Sequence, residues 1–100
     1  MRKPAYHIKA KVWQYNGPSA WHFISLPAAV SKEIKKLFGE MAAGFGSLPV
    51  MVTIGKTQWK TSIFPDTKSN TYILPVKLMV RKRENIKNGQ IINFSIEIQI

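Results

Sequence analysis

Hydrophobic and polar residues alternate along several short stretches of the chain, and a period of two residues is typical of half-buried β-strands. The stretches with this pattern, or with β-branched and aromatic enrichment, are 6–15, 21–26, 50–54, 58–64, 71–74 and 92–100. In the last one every second residue from Ile92 to Ile100 is apolar, and we expect those side chains to face a core. A turn at Asn16-Gly17-Pro18-Ser19 separates the first two stretches, because glycine accepts a positive φ. The pattern predicts six strands.

Two other segments carry apolar residues at helical spacing. The first is predicted to start after Pro27 and to end at Gly44-Phe45-Gly46. Its predicted inward residues are Val30, Ile34, Leu37, Phe38 and Met41. The second is predicted to open at Pro75, since the missing N–H of proline costs nothing in a first turn, and to close at Asn88-Gly89. Its predicted inward residues are Val76, Met79 and Val80.

The elements form an internal repeat around two Leu-Pro pairs, Leu26-Pro27 and Leu74-Pro75. Each pair follows a strand bearing a tryptophan (Trp13 or Trp59), a loop and a short strand, and each leads into a helix, a glycine and a further strand. One such unit cannot cover its own apolar faces, so two would close against each other. The alternative is chance similarity among short strands.

The repeat predicts a mainly β fold, a six-stranded double-split β-barrel capped by two α-helices. We expect residues 1–100 to fold as a single domain, with pseudo-repeat halves at about 5–55 and 56–100.

Several runs in order along nearly the whole chain resemble one family. They are Trp21–Pro27 (WHFISLP), Pro49–Gly55 (PVMVTIG), Trp59–Pro65 (WKTSIFP), Tyr72–Lys77 (YILPVK), Val80-Arg81-Lys82 and Gly89. The family is the bacterial and archaeal domain-of-unknown-function family nineteen-oh-five. The resemblance implies a double-split barrel similar in topology to the swapped-hairpin DNA-binding proteins of the AbrB, MazE and MraZ type, with both halves in one chain. The family has no established activity, so the resemblance implies no catalytic residues.

The sequence departs from the family pattern at two places. Family members commonly carry Gly-Asp before the last strand, whereas Gly89 is followed here by Gln90. Many members also continue into a second small domain linked to bacteriocin protection, while this sequence ends at Ile100. A function that resides in that second domain would be missing here.

Composition adds limits on partners and compartment. Hydrophobic residues make up 45% of the 100 residues and charged residues 20%, which is typical of a globular protein. The absence of cysteine excludes disulfides and thiolate metal sites. No apolar run approaches the roughly 20 residues of a membrane span, and Met1-Arg2-Lys3-Pro4 leads directly into the first strand. We therefore expect a cytoplasmic protein without a signal peptide or a membrane partner.

The charge balance favours anionic partners. Lysine and arginine number 15 against 5 acidic residues, for a net charge of +10. The predicted anion-binding or nucleic-acid-binding residues are Lys77, Arg81, Lys82 and Lys87, together with Lys9 and Lys11 on the first strand. Lysine and arginine release counterions from a polyanion, but a charge run is also typical of a solvated helix face. The aromatics Trp13, Tyr15, Trp21 and Trp59 either stack on bases or belong to the core and rim of the barrel.

A second hypothesis concerns the barrel mouth beside the second helix. Trp59, Thr61 and Ser62 would converge there with Lys77 and Arg81 on a small anionic ligand. In the alternative interpretation the hydroxyls satisfy local backbone groups and the two cations are solvated.

Motifs for catalysis and cofactor binding are incomplete. Gly55-Lys56-Thr57 lacks the upstream glycine of a phosphate loop. Only His7 and His22 offer imidazole, and the five acidic residues form no obvious pair, so we expect no metal, no cofactor and no catalytic residues.

These observations favour a non-enzymatic binding module for a nucleic acid or another polyanion, acting as a monomer or weak homodimer. The first alternative is a DNA-binding transcriptional regulator of the AbrB-like type, which depends on fold analogy and charge. The second is a small-molecule-binding protein or an enzyme with a pocket near Trp59 and Arg81.

Overall fold

Strands and helices follow the order β-β-α-β-β-β-α-β in the computed structural model of the protein, which describes residues 4–18 and 20–100. The strands are β1 (Ala5–Gln14), β2 (His22–Ser25), β3 (Leu48–Ile54), β4 (Thr57–Asp66), β5 (Thr71–Pro75) and β6 (Ile91–Ile98). The helices are α1 (Ala28–Phe38) and α2 (Leu78–Arg83), with 3-10 turns at Gly39–Met41 and Gly44–Gly46. Met1 to Lys3 and Ser19, which belong to the predicted amino terminus and first turn, lie outside the described residues.

The strands form a closed antiparallel barrel in the order β1-β2-β5-β4-β3-β6. Two long strands each pair with different neighbours along their length. Residues 5–11 of β1 pair with β6 and residues 12–14 with β2. Residues 57–63 of β4 pair with β3 and residues 64–66 with β5. This architecture confirms the prediction of a mainly β, six-stranded split barrel with two helices.

The strand order has a pseudo-twofold arrangement. Exchanging β1, β2 and β3 with β4, β5 and β6 leaves every neighbour in the barrel unchanged. One row of paired residues shows the same exchange, because Tyr6 pairs with Ile96. Ile96 pairs in turn with Val52, and Val52 pairs with Trp59. Tyr6 and Trp59 therefore occupy matching places at the two ends of one row.

The inward side chains form a continuous apolar core, because alternate residues of a strand point to opposite faces. The core residues that are almost completely buried are Val12, Ile24, Leu26, Ile34, Leu48, Val50, Val52, Ile63, Leu74, Val76, Val80, Ile96 and Ile98. Ile34 comes from α1 and Val80 from α2, so each helix packs at least one side chain on the barrel. Burial of one such side chain contributes about 1.5–3 kcal/mol to stability.

Helix α1 is shorter than its apolar spacing predicts. It ends at Phe38 with Gly39 as its C-cap, and Gly44-Phe45-Gly46 forms a separate 3-10 turn rather than the helix end. Leu37 and Met41, which the spacing places inside, are each more than half exposed. The α-helical path is interrupted at Phe38, whose φ and ψ are −126° and −3°, and the chain continues as the 3-10 turn Gly39–Met41, in which Met41 does not reach the barrel.

Helix α2 begins later than predicted. Pro75 is the last residue of β5, and the Val76 N–H still donates to the His22 carbonyl at 2.9 Å. The helix starts only at Leu78. Met79, which was expected inside, is more than half exposed as a result of this shift in register.

The ends of α2 and β6 also differ from the prediction. The helix ends at Arg83, whereas Asn88-Gly89 belongs to a later turn in which Gly89 has a φ of 88°. The last strand ends at Ile98, so Ile100 is more than half exposed instead of buried.

The two tryptophans that the repeat placed together are not equivalent. Trp13 pairs with Phe23 and its indole N–H donates to the Ser25 hydroxyl at 2.9 Å. Its neighbour Val12 is fully buried, so Trp13 lies on the outer face of the barrel. Trp59 packs against the core and matches Tyr6, so each half has a strand with a tryptophan, as the repeat predicts, but at a different place in the strand.

Candidate functional site

A cavity of about 380 Å³ opens beside the first turn of α2. Its walls come from residues 20–22 before and in β2, residues 59–61 of β4 and residues 75–78 between β5 and α2, with Arg81 from the helix. In this part of β4 one edge pairs with β3, while pairing with β5 begins only at Phe64. The cavity therefore lies where the barrel wall is split.

The connection into α2 forms one wall of the cavity. In the first half Pro27 is the N-cap of α1, and the helix begins at the next residue. In the second half Val76 and Lys77 separate Pro75 from the helix, and Lys77 is the N-cap. Val76 and Lys77 both line the cavity. Because Val76 continues the pairing of β5 with β2, α2 begins two residues later after its proline than α1 does.

The cavity is positively charged. The Arg81 Nε donates to the Val76 carbonyl at 3.0 Å, which fixes the half-buried guanidinium and leaves its other four N–H donors for further partners. Lys60 and Lys77 also line the cavity. Among the described residues that line it, none is acidic. An anion that enters would meet cations that no neighbouring carboxylate in the lining neutralises.

The rest of the wall is largely apolar. Trp59 is half-buried and packs against the core, so one part of its indole faces inward. Trp21 is more than half exposed and stacks on Phe23, with ring centroids 6.0 Å apart and an interplanar angle of 20°. Leu78 extends the apolar wall from the helix. Two indole rings and an aliphatic side chain thus surround the cationic groups.

The first half places a different residue at the position of Arg81. The backbone N–H of Ser31 bonds the N-cap carbonyl of α1 at 2.9 Å, and that of Arg81 bonds the N-cap carbonyl of α2 at 3.1 Å. The Ser31 hydroxyl donates to the Leu26 carbonyl at 3.4 Å and accepts the Tyr72 N–H at 3.0 Å. Ser31 is buried and its hydrogen bonds stay within the protein.

The place that matches Trp59 in the first half is also engaged by its own helix. Burial raises the pKa of Tyr6 above its ordinary value, and a hydrogen bond to Glu33 of α1 and the charge of that carboxylate raise it further. Tyr6 therefore has an acidic neighbour on α1, whereas Trp59 shares its cavity with the basic residues of α2.

The structure brings together four of the five residues that the pocket hypothesis named. Trp59, Thr61, Lys77 and Arg81 all line the cavity. Ser62, the next residue of β4, does not line it.

The remaining predicted basic residues lie elsewhere. Lys82 and Lys87 are exposed on α2 and in the turn after it, and neither lines the cavity. Lys9 lines a second cavity of about 360 Å³ on β1 and β6, together with His7 and Asn93. Lys11 is exposed and pairs with Ile91 on the same pair of strands. The predicted basic residues therefore fall into separate groups rather than into one site.

Among the residues that sequence reasoning did not assign to the cavity, His22 and Lys60 carry titratable side chains. A signal for His22 is present, because it alternates with the buried residues Ile24 and Leu26 and is thus a polar residue on an inward face. Lys60 carries no such signal, since it is one exposed lysine among many in a basic chain.

The described part of the chain holds neither a metal-binding group of side chains nor a membrane-spanning helix. Within residues 4–18 and 20–100, no three His, Cys, Asp or Glu side chains are grouped so that they could hold a metal ion. None of the helices in these residues has the length and hydropathy needed to cross a membrane.

Comparison with family models identifies the family of this chain. A family model with the description "Domain of unknown function (DUF1905)" matches residues 9–96, which includes every residue of the cavity wall. No curated protein matches the sequence.

Proposed function

The chain belongs to the DUF1905 family, a family of unknown function, and we propose that its cavity beside α2 binds a small anionic ligand. The observation that carries this proposal is the environment of Arg81. Its guanidinium is oriented by the Val76 carbonyl and shares a recess with Lys60 and Lys77, and no acidic residue of the described chain lines that recess. Arginine with a fixed plane binds carboxylate or phosphate groups through two parallel hydrogen bonds.

The walls favour a ligand that also has an apolar part. Small-molecule sites are concave and mostly apolar, with a few polar groups that set orientation, and their volumes start at about 300 Å³. The cavity has this size and carries Trp21, Trp59 and Leu78 beside its cations. A ligand with one anionic group and one apolar ring would use both kinds of wall.

The proposed role is binding rather than catalysis, and its partner is a small molecule rather than a nucleic acid. A duplex contacts exposed cations along its phosphates, whereas Arg81 is half-buried in a recess. Lys82, Lys87 and Lys11 are exposed and would carry the alternative, DNA-binding function. The net charge of +10 is compatible with both.

Isothermal titration with benzoate and with inorganic phosphate tests the proposal. Arg81→Gln is expected to weaken benzoate binding about tenfold or more, because a hydrogen bond to a charged group contributes roughly 1.5–3 kcal/mol. Lys77→Gln is expected to weaken it less, since an ammonium group makes no bidentate contact. Lys82→Gln is the matched control, because it removes one charge from the same helix outside the cavity.

The same variants are titrated with a short duplex DNA at several salt concentrations. The affinity for benzoate is expected to fall in Arg81→Gln. Adding Lys82→Gln to this variant is expected to change the affinity little further. Duplex binding that has a steep salt dependence and is weakened by Lys82→Gln, together with no binding of either small anion, would contradict the proposal and favour the exposed basic residues.

A further inference from the structure

His22 places a hydrogen-bond acceptor in the wall of the cavity. The side chain is 9% exposed and lines the cavity, and its Nδ1 lies 2.8 Å from the Ala20 carbonyl oxygen. A carbonyl oxygen can only accept a hydrogen bond, so Nδ1 carries a proton and donates it. In the neutral imidazole the lone pair is then on Nε2.

The Nε2 atom of His22 is open to a ligand. It has no hydrogen-bond partner among the described residues. Yet the described chain contains no fully buried side-chain nitrogen or oxygen without a partner, so Nε2 retains some accessible surface. The residue as a whole is otherwise buried, and the cavity is the open space that it lines. The accessible acceptor therefore faces the cavity.

His22 and Arg81 are held by the same residue. The Val76 N–H donates to the His22 carbonyl at 2.9 Å, and the Val76 carbonyl accepts from the Arg81 Nε at 3.0 Å. His22 also pairs with Gln14 of β1, so its backbone is fixed on both sides. The acceptor and the guanidinium are thus parts of one rigid wall rather than ends of mobile side chains.

From these contacts we propose that the cavity selects planar aromatic or heteroaromatic anions that carry an O–H or N–H donor. The anionic group binds Arg81 and Lys77, the ring packs on Trp59 and Trp21, and the donor bonds the His22 Nε2. An acceptor in a confined site disfavours a ligand that leaves it unpaired, which gives selectivity for the donor. This inference rests on the proposed function and adds the third recognition group.

Carboxylate probes that differ in one feature test the inference. Benzoate, the ortho, meta and para isomers of hydroxybenzoate, their methoxy counterparts and cyclohexanecarboxylate are titrated into the wild-type protein by calorimetry. One hydroxybenzoate isomer is expected to bind about tenfold more tightly than benzoate, and its methoxy counterpart is expected to lose this gain. Cyclohexanecarboxylate is expected to bind more weakly than benzoate, because it cannot stack on the indoles.

The role of His22 is tested by His22→Leu, with His7→Leu as the matched control on β1 outside this cavity. The expected result is loss of the preference for the hydroxyl group in His22→Leu, whereas His7→Leu keeps both this preference and the wild-type affinity for benzoate. The ¹⁵N resonance of the His22 Nε2 in wild-type protein gives a second readout that needs no substitution, and it is expected to shift with the preferred isomer and not with benzoate.

Two results would overturn the inference in different ways. Equal affinities for benzoate and all three hydroxybenzoates, with all of them weakened by Arg81→Gln, would refute the donor selectivity and leave the proposed function intact. No binding of any carboxylate to the wild-type protein would refute both.

Discussion

The two halves of the barrel use the same helical position in different ways. In α1 that position holds Ser31, whose hydroxyl bonds the Leu26 carbonyl and the Tyr72 N–H. In α2 it holds Arg81, whose Nε bonds the Val76 carbonyl. Both side chains therefore hydrogen-bond a carbonyl just before their own helix. Only the arginine has side-chain donors left without a hydrogen-bond partner among the described residues.

The difference between the halves begins with the start of each helix. Helix α1 follows Pro27 directly and has 11 residues, whereas α2 follows Lys77 and has 6. The later start of α2 leaves Val76 and Lys77 in the wall of a cavity. A duplicated β-β-α-β unit thus retains its barrel pairing, while a change in one connection opens a recess in one half.

The largest expected effect tests whether the halves are equivalent in their core. Leu26 and Leu74 precede the two prolines and are almost completely buried. Leu26→Ala and Leu74→Ala are each expected to lower the free energy of unfolding by about 2–5 kcal/mol, because each leaves a cavity in a packed core. Chemical denaturation measures both. A several-fold difference between the two losses would show that the pseudo-twofold arrangement does not extend to the energetics.

The next effect distinguishes Ser31, which stabilises the fold, from Arg81, which we propose binds the ligand. Ser31→Ala is expected to cost about 1–3 kcal/mol of stability, since it leaves the buried Tyr72 N–H without a partner. Arg81→Ala is expected to cost about 1 kcal/mol or less, because the half-buried side chain makes one hydrogen bond within the protein. Titration with benzoate is expected to show the reverse order, with binding retained in Ser31→Ala and lost in Arg81→Ala. The same order in both measurements would contradict the distinction.

A smaller effect concerns the end of the short helix. The Thr57 hydroxyl donates to the Glu84 carboxylate at 2.7 Å, and the same carboxylate lies over Gly55, where a Cβ would collide with it. Thr57→Val is expected to lower stability by about 0.5–1.5 kcal/mol, because it removes this bond at the end of α2. Thr67→Val, at an exposed loop position, is the control for thermal unfolding. Equal losses of stability in Thr57→Val and Thr67→Val would show that the contact with Glu84 does not stabilise the protein.

The smallest effect appears at alkaline pH and distinguishes Tyr6 from Trp59. The raised pKa of Tyr6 means that the fold favours the neutral phenol. Its contribution to stability is complete below the ordinary value of about 10 and is lost as the pH rises through the raised value. When the pH is raised from about 8 to about 11, the free energy of unfolding is therefore expected to fall less in Tyr6→Phe than in the wild-type protein. Trp59→Phe is expected to keep the wild-type alkaline loss. An unchanged loss in Tyr6→Phe would contradict the assigned environment.

Much of the fold is predictable because strand alternation is a strong signal. A shift of one residue would turn every inward side chain of a strand outward, so the alternation in 92–100 fixes which residues of β6 are buried. The two Leu-Pro pairs indicated the duplication, because in each pair an inward leucine ends a short strand and a helix follows. Ile100 is the exception, because the ladder ends two residues earlier at Ile98.

The different starts of the two helices were harder to predict, because the same Leu-Pro pair precedes both. The residues that follow do differ, with Ala28-Ala29 in one half and Val76-Lys77 in the other. Alanine is the best helix former and valine favours strands, which agrees with the observed starts. The hydrogen bond from the Val76 N–H to the His22 carbonyl also keeps Val76 in extended pairing with β2. Such a long-range contact is not visible in local sequence.

The site was predictable where residues share a strand face or a helix turn. Trp59 and Thr61 are two apart on β4, and Lys77 and Arg81 are four apart at the start of α2, so each pair lies on one side of its element. The cavity between the two pairs depends on the split in the barrel wall, and the contribution of His22 depends on β2. The pocket hypothesis did bring the two pairs together at the barrel mouth, but the contribution of His22 comes from tertiary structure and was not indicated.

Two-dimensional ¹H–¹⁵N NMR of the wild-type protein during titration with benzoate tests the central claim most directly. The three tryptophan indole N–H signals provide an internal comparison, because Trp21 and Trp59 line the cavity and Trp13 donates to Ser25 on the outer face. The account predicts saturable shifts of the Trp21 and Trp59 indoles and of the amides around Arg81, with Trp13 unchanged. Three results would contradict it: shifts spread over the amides of the exposed lysines, larger shifts for the amides of α1 than for those of α2, or an indole shift of Trp13 as large as that of Trp59.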